Sequence, residues 1–319
     1  YKCIGGTFTL HHKFELGGTG AASLVVQSKG VFLIATHRKG IQLFSPDGRL
    51  RCAPKAPGLG RPRFLRRGNI ALASDVLAAI SRANPREVLL LDTETGRPFA
   101  EPYQHPIAIE HIALSQGPGT SRKLLIIDTN RDLYITRLHQ RKLVKLATMV
   151  DSARWHDGGS KAEAKSPDSG SIDALACVSH GQLVIWYYPH AAYVDPDLLP
   201  KTKSIVANAS VAFGKQCDLV SFYGSTITAR RADGAYMSQL VSPFPLSLLR
   251  FAAAGKWAQC ARLCRFAQRP ILWACLAAVA LERMQLEVAA VSFAALDEVE
   301  KLQAIQRVIS IPSREGQHA

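Results

Sequence analysis

The chain has 319 residues, 47% of them apolar and 20% charged, with 39 Lys and Arg against 25 Asp and Glu. A chain this long and this apolar can bury a sizeable core, which excludes wholesale disorder, and no apolar run approaches the roughly 20 residues a membrane helix needs. Residues 1–150 hold 22 cations and 10 acids, net +12, whereas residues 151–319 hold 17 and 15, net +2. The excess that favours acidic partners therefore sits in the first half.

Residues 1–25 lack the basic start, apolar stretch and small-residue cleavage site of a secretory leader. Position 1 is not Met, so we expect a piece of a longer protein. The seven cysteines are odd in number and scattered among apolar neighbours. They read as reduced, buried thiols of an intracellular protein rather than as a disulfide framework.

Up to residue 246 one texture repeats. Short β-branched-rich runs alternate with Gly, Asp, Asn and Pro turns. Ser23–Val26, Val31–Thr36 and Ile41–Ser45 form a first group, closed by Pro46-Asp47-Gly48. Ile70–Ser74, Val76–Ser81 and Val88–Asp92 form a second, closed by Glu94-Thr95-Gly96. Ile107–Ser115, Lys123–Asp128, Leu133–Leu138 and Leu143–Met149 form a third, turning at Asn130 to Asp132. Ala153–His156, Ala174–Val178 and Gln182–Tyr187 form a fourth. Ser210–Phe213, Leu219–Tyr223, Thr226–Arg231 and Tyr236–Val241 form a fifth. Strands of this length with frequent turn signals indicate an all-β domain, and groups recurring about every 45–50 residues favour propeller blades. A sandwich would use the same strands. Runs such as Val31 to Ile34 are apolar throughout, as expected of strands covered on both faces. About five blades fit, fewer than the usual closed ring, so the propeller is expected to be partial or open in this chain. Residues 157–171 are almost free of large apolar side chains and read as a mobile insertion.

After Pro245 the composition turns to Ala, Leu, Cys, Gln and Arg with little Gly. Ser247–Phe251, Trp257–Ala267, Ile271–Arg283, Leu286–Ala295 and Asp297–Ile309 read as helices, with Trp257, Ala261 and Cys264 on one face. The short breaks between them suit antiparallel pairs, so residues 247–319 are assigned to the start of an α-solenoid.

No constellation points to catalysis. Cys260, Cys264 and Cys275 lack a fourth ligand for a tetrahedral metal site and read as helix packing. His11 and His12 would point to opposite faces of a strand. His105, Glu110, His111, Asp128 and Asp132 carry no nucleophile elbow, phosphate loop or zinc-protease spacing, and the Gly17 to Gly20 loop lacks a strand-to-helix context. The chain is therefore expected to be no enzyme and to need no cofactor or metal. The charged segment 51–67 is the one candidate binding feature. It holds Arg51, Lys55, Arg61, Arg63, Arg66 and Arg67 with no acid, among prolines and glycines. It is either a solvated connection between blades or an anion-seeking interaction site. With only Phe64 available for stacking, nucleic acid is disfavoured.

Several longer motifs carry a resemblance. They are Asn130-Arg131-Asp132-Leu133, Thr148-Met149-Val150, Trp186-Tyr187-Tyr188-Pro189, the run from Tyr193-Val194-Asp195-Pro196 through Lys201-Thr202, and Arg230-Arg231-Ala232-Asp233-Gly234. Leu263-Cys264-Arg265-Phe266 and the run Trp273 to Ala278 continue the series. In this order they resemble the intraflagellar transport protein 80 family, WD-repeat subunits of the peripheral B complex. The resemblance implies a second propeller and the first helices of a solenoid, in a non-enzymatic scaffold of the trains that move along cilia and flagella. It also implies other B-complex subunits as partners, possible self-association, no small-molecule substrate, no membrane insertion, and a place in the cilium and basal body on the cytosolic side. A vesicle-coat subunit shares the propeller–solenoid plan, and a nucleic-acid-binding propeller would use the basic first half. Trp186, Tyr187, Tyr188, Tyr193, Asp195, Trp257 and Trp273 are expected to act in packing and hydrogen bonding. The Tyr193–Thr202 motif is expected to join two blades and pin the ring.

Overall fold

A computed structural model of the chain describes residues 2–4, 7–9, 13–14, 21–28, 30–55, 59, 65–117, 119–140, 142–157, 172–206 and 217–311. The expected insertion falls outside them apart from Asp157, as do His11, His12, the Gly17 to Gly20 loop and the Ser210–Phe213 run. The chain forms two compact units, one running to Thr148 apart from residues 116–118, the other from Met149 onward.

The first unit holds a strand pair, β1 (Lys2–Ile4) with β2 (Thr7–Thr9), and three four-stranded antiparallel meanders. The first meander is β3 (Ala22–Ser28), β4 (Val31–Thr36), β5 (Gly40–Phe44) and β6 (Leu50–Cys52). The second is β7 (Ile70–Leu72), β8 (Val76–Ile80), β9 (Glu87–Asp92) and β10 (Tyr103–Gln104). The third is β11 (Ile109–Leu114), β12 (Lys123–Asp128), β13 (Leu133–Arg137) and β14 (Val144–Ala147). Sequence neighbours are sheet neighbours throughout, the up-and-down order of a propeller blade. The inner strands are buried on both faces: every residue of β5 and of β12 is buried, which accounts for their apolar middles. One core joins the first and second meanders through Leu33, Leu43, Leu77 and Leu91. Another joins the second and third through Ala78, Leu90, Ile112 and Leu124. Across the latter, the buried Arg122 guanidinium meets the Asp75 carboxylate at 2.5 Å and donates to the Ser115 carbonyl at 2.9 Å.

The second unit holds two further meanders. One is β15 (Val150–Trp155), β16 (Leu175–Ser179), β17 (Gln182–Trp186) and β18 (Lys203–Val206). The other has three strands among the described residues, β19 (Asp218–Tyr223), β20 (Thr226–Arg230) and β21 (Tyr236–Leu240). Between β17 and β18 the chain makes a one-turn helix, α1 (Ala191–Val194), and two 3-10 turns, Pro196–Leu198 and Pro200–Thr202. The Tyr193–Thr202 motif thus lies inside the fourth blade, because β18 returns to pair with β17. This corrects its expected place between two blades. Helices α2 (Pro243–Ala253), α3 (Trp257–Ala267), α4 (Pro270–Glu282), α5 (Leu286–Ala295) and α6 (Val299–Ile309) follow. The first opens at Pro243, ahead of the expected Ser247, since proline fits a first turn whose N–H would have no partner. Each helix connection holds one left-handed residue: Gly255, Gln268, Met284 and Asp297. The five blade sheets and the helices that follow give the all-β then all-α order of a β-propeller with a helical region.

Candidate protein-interaction site

The basic segment begins on a strand rather than in a loop. Arg51 lies on β6, exposed, and its guanidinium donates to the Gly30 carbonyl at 3.0 Å. Lys55, Arg66 and Arg67 are also exposed, while Arg61 and Arg63 lie outside the described residues. Apolar side chains tie the segment down: Pro54 is buried, Leu59 is buried in the core shared by the first two meanders, and Leu65 packs against it. Cys52 Sγ contacts the Thr93 carbonyl at 3.2 Å. Four cations therefore stand out from a backbone anchored by apolar residues between them. Fixing the backbone lowers the ordering cost of any partner contact.

The aromatic and acidic residues of the Trp186–Thr202 segment do something different. Trp186 and Tyr187 are fully buried, Lys203 lies over the Trp186 ring at 5.6 Å, and burial pushes the Tyr187 phenol up to about 12. Tyr188 donates its hydroxyl to the Glu282 carboxylate at the end of α4, and His190 Nε2 meets the same carboxylate at 2.9 Å. Burial, then the Glu282 charge, holds the Tyr188 phenol well above its ordinary range. Asp195 accepts from the Asp197 amide at 3.1 Å, starting the 3-10 turn, and from Lys301 of α6 at 2.6 Å. Lys301 also reaches Asp197 at 3.0 Å, and Lys201 pairs with Glu298 just ahead of α6. Burial alone would lower the Lys301 pKa, but the two aspartates outweigh it and raise it. Ala191 and Leu198 share an apolar cluster with Ala274, Ala278, Phe293 and Ile305. The segment is therefore a saddle for helices α4 to α6, half apolar and half ionic. The Tyr193 ring lies tilted against that of His190, with centroids 5.7 Å apart. Trp257 and Trp273 are partly buried and pack on the core shared by the last two meanders and α2 to α4.

The partners in this saddle, Glu282, Glu298 and Lys301, were not legible in the sequence. They lie 92 to 106 residues from the groups they meet, and no spacing pattern links charges at that distance. Among the residues that suggested acid–base chemistry, Asp128 holds a turn by accepting the amides of Asn130 and Asp132, each at 2.9 Å. His105 sits buried 3.6 Å from the same carboxylate, and burial lowers its pKa. Cys260, Cys264 and Cys275 are fully buried. Burial raises their thiols, to about 11 for Cys260 and about 12 for Cys264, and raises Cys275 as well, so they pack as small apolar groups.

Family comparisons match the blade region and the later helices separately. A family described as the IFT80 second beta-propeller matches residues 8–244. The chain belongs to the intraflagellar transport protein 80 family. A second description, the IFT80/172/WDR35/WDR19 TPR domain, matches residues 272–319. Intraflagellar transport protein 80 homologs of Rattus norvegicus and Mus musculus are each 34% identical over 307 residues, covering 94% of this chain and 37% of theirs. The chain thus spans little more than a third of the length of these intraflagellar transport relatives. A solved structure titled as the RRP9 WD40 repeats superposes with a TM-score of 0.43 at 14% identity, covering 70% of this chain and 62% of that one.

Proposed function

We propose that the protein is a non-enzymatic scaffold subunit of intraflagellar transport trains, placed in the peripheral part of the B complex. There it would hold other B-complex subunits for cilium and flagellum assembly and cargo transport, in the cilium and basal body on the cytosolic side. The observation that carries this reading is the family match over both the blade region and the helical region. The saddle supports it mechanically, because hydrogen bonds and ion pairs from one blade fix the helices that follow. The basic segment supplies a contact chemistry: Arg51, Lys55, Arg66 and Arg67, with Arg61 and Arg63 of the same run, would engage acidic faces of partner subunits. Trp186, Tyr187, Tyr188, Tyr193, Asp195, Trp257 and Trp273 would act by keeping those surfaces in place.

The test is affinity purification of the full-length parent protein from ciliated cells at moderate salt, followed by mass spectrometry. Co-purification of B-complex subunits is the expected result. Recovery of vesicle-coat subunits or nucleic acid in their place would overturn the reading.

A further inference from the structure

From Gly234 through Leu281 the chain contains no Asp or Glu, but five cations: Arg250, Lys256, Arg262, Arg265 and Arg269. Protein surfaces ordinarily intersperse both signs. Arg262 and Arg265 lie one turn apart on α3, with Phe266 four residues after Arg262, so these three side chains share one exposed stripe, and the exposed Arg269 follows the Gln268 cap. None of Lys256, Arg262, Arg265 and Arg269 meets a carboxylate among the described residues. Phe266 is 79% exposed, the most exposed large apolar side chain described. Its ring is not loose: it meets Phe244 of α2 edge-on with centroids 6.5 Å apart. At the C-terminal end of α3 opens a cleft of about 350 Å³, lined by Cys264, Arg265, Gln268, Pro270, Trp273 and Ala295. That volume lies at the small end of the roughly 300–1,000 Å³ of ligand pockets. Arg265 belongs to both the stripe and the cleft wall.

We infer that this face of α3 is a docking site for an acidic peptide segment of a partner protein, whose apolar anchor enters the cleft against Trp273 while its carboxylates meet Arg262, Arg265 and Arg269. Arginine forks match carboxylates in two-point contacts. Aromatic and arginine side chains around a small cleft are the composition of interface hot spots. The cleft is small and its wall carries one aromatic, Trp273, which suits a peptide anchor better than a run of stacked bases. The site uses none of the residues of the basic segment around Arg51.

The test uses the full chain and a panel of labelled peptides, each with one Leu, Phe or Trp among Asp and Glu, read by fluorescence anisotropy. Control panels replace the acids by Lys or the anchor by Gly. We expect binding to the acidic anchored panel alone, weakened about tenfold by Phe266→Ala and by Arg265→Glu, a hot-spot loss. Both α3 positions are exposed, so circular dichroism should show an unaltered fold. Absence of binding, binding that ignores the anchor or survives Phe266→Ala, or equal competition by single-stranded nucleic acid or anionic vesicles would overturn the proposal.

Discussion

Gly96 and Gly255 share a left-handed backbone but not an environment. A Cβ at Gly96 would lie 3.2 Å from Pro54 Cα and 3.3 Å from Cys52 Sγ, whereas one at Gly255 would meet open space. Alanine at either site carries the left-handed cost of about 1–2 kcal/mol. At Gly96 it must also displace the backbone that carries the basic segment. We therefore expect Gly96→Ala to lower stability more than Gly255→Ala, and equal midpoints in urea for the two variants would refute the crowding argument. His156 gives a second residue-scale expectation. It packs edge-on to Phe222 with centroids 4.8 Å apart, and its Nε2 lies 3.3 Å from the Gly224 carbonyl. Burial holds its pKa below the ordinary 6.5, with the Gly224 carbonyl and Asp157 pulling the other way. On acidification the unfolded chain takes up the proton first, so stability is complete above about pH 6.5 and declines below it. Calorimetry between about pH 7.5 and 5.5 should show Tm falling, less steeply in His156→Gln. His105, also lowered by burial, accounts for part of what remains. A Tm indifferent to pH across that range would remove both histidines from the account.

At the scale of elements, the saddle decides how the helices are held. Asp195 has two tasks, opening a 3-10 turn and receiving Lys301 from α6. Asp195→Ala removes a cap and a partly exposed ion pair together, a loss of about 1–2 kcal/mol. Amide exchange should quicken in α6 and the end of α5 while β15 to β17 keep their protection, and uniform exchange across the unit would show that the ion pair does not hold the helices locally. Gly255 and Pro270 made two helical breaks legible in the text, whereas the first helix opens at Pro243 and not at the expected Ser247. The left-handed positions that close the helices were less legible. Gln268, Met284 and Asp297 adopt left-handed conformations that residue type does not announce. The strands β10 and β18 also went unseen in the text. β10 has two residues, and β18 is a half-exposed strand whose place is set by pairing with β17.

Over the whole molecule, net charge is a property that sequence states directly and structure only distributes. Of the +14 total, +12 lies in residues 1–150, and Arg66 and Arg67 present part of it on an exposed stretch beside apolar anchors. Reversing both to Glu should leave Tm unchanged, since neither side chain is buried, and should reduce recovery of acidic partner subunits in pull-downs from ciliated cells. Full recovery would return the basic segment to the role of a solvated connection. The blade repeat, the switch to helices after the fifth group and the family were determined by the text, because strand and helix periodicities and turn residues are local signals. The tertiary structure decided which blade carries the Tyr193–Thr202 motif, which helices rest on it, and that Glu282, Glu298 and Lys301 complete it. Those choices depend on contacts between residues about a hundred positions apart, which chain folding brings together and no local pattern encodes.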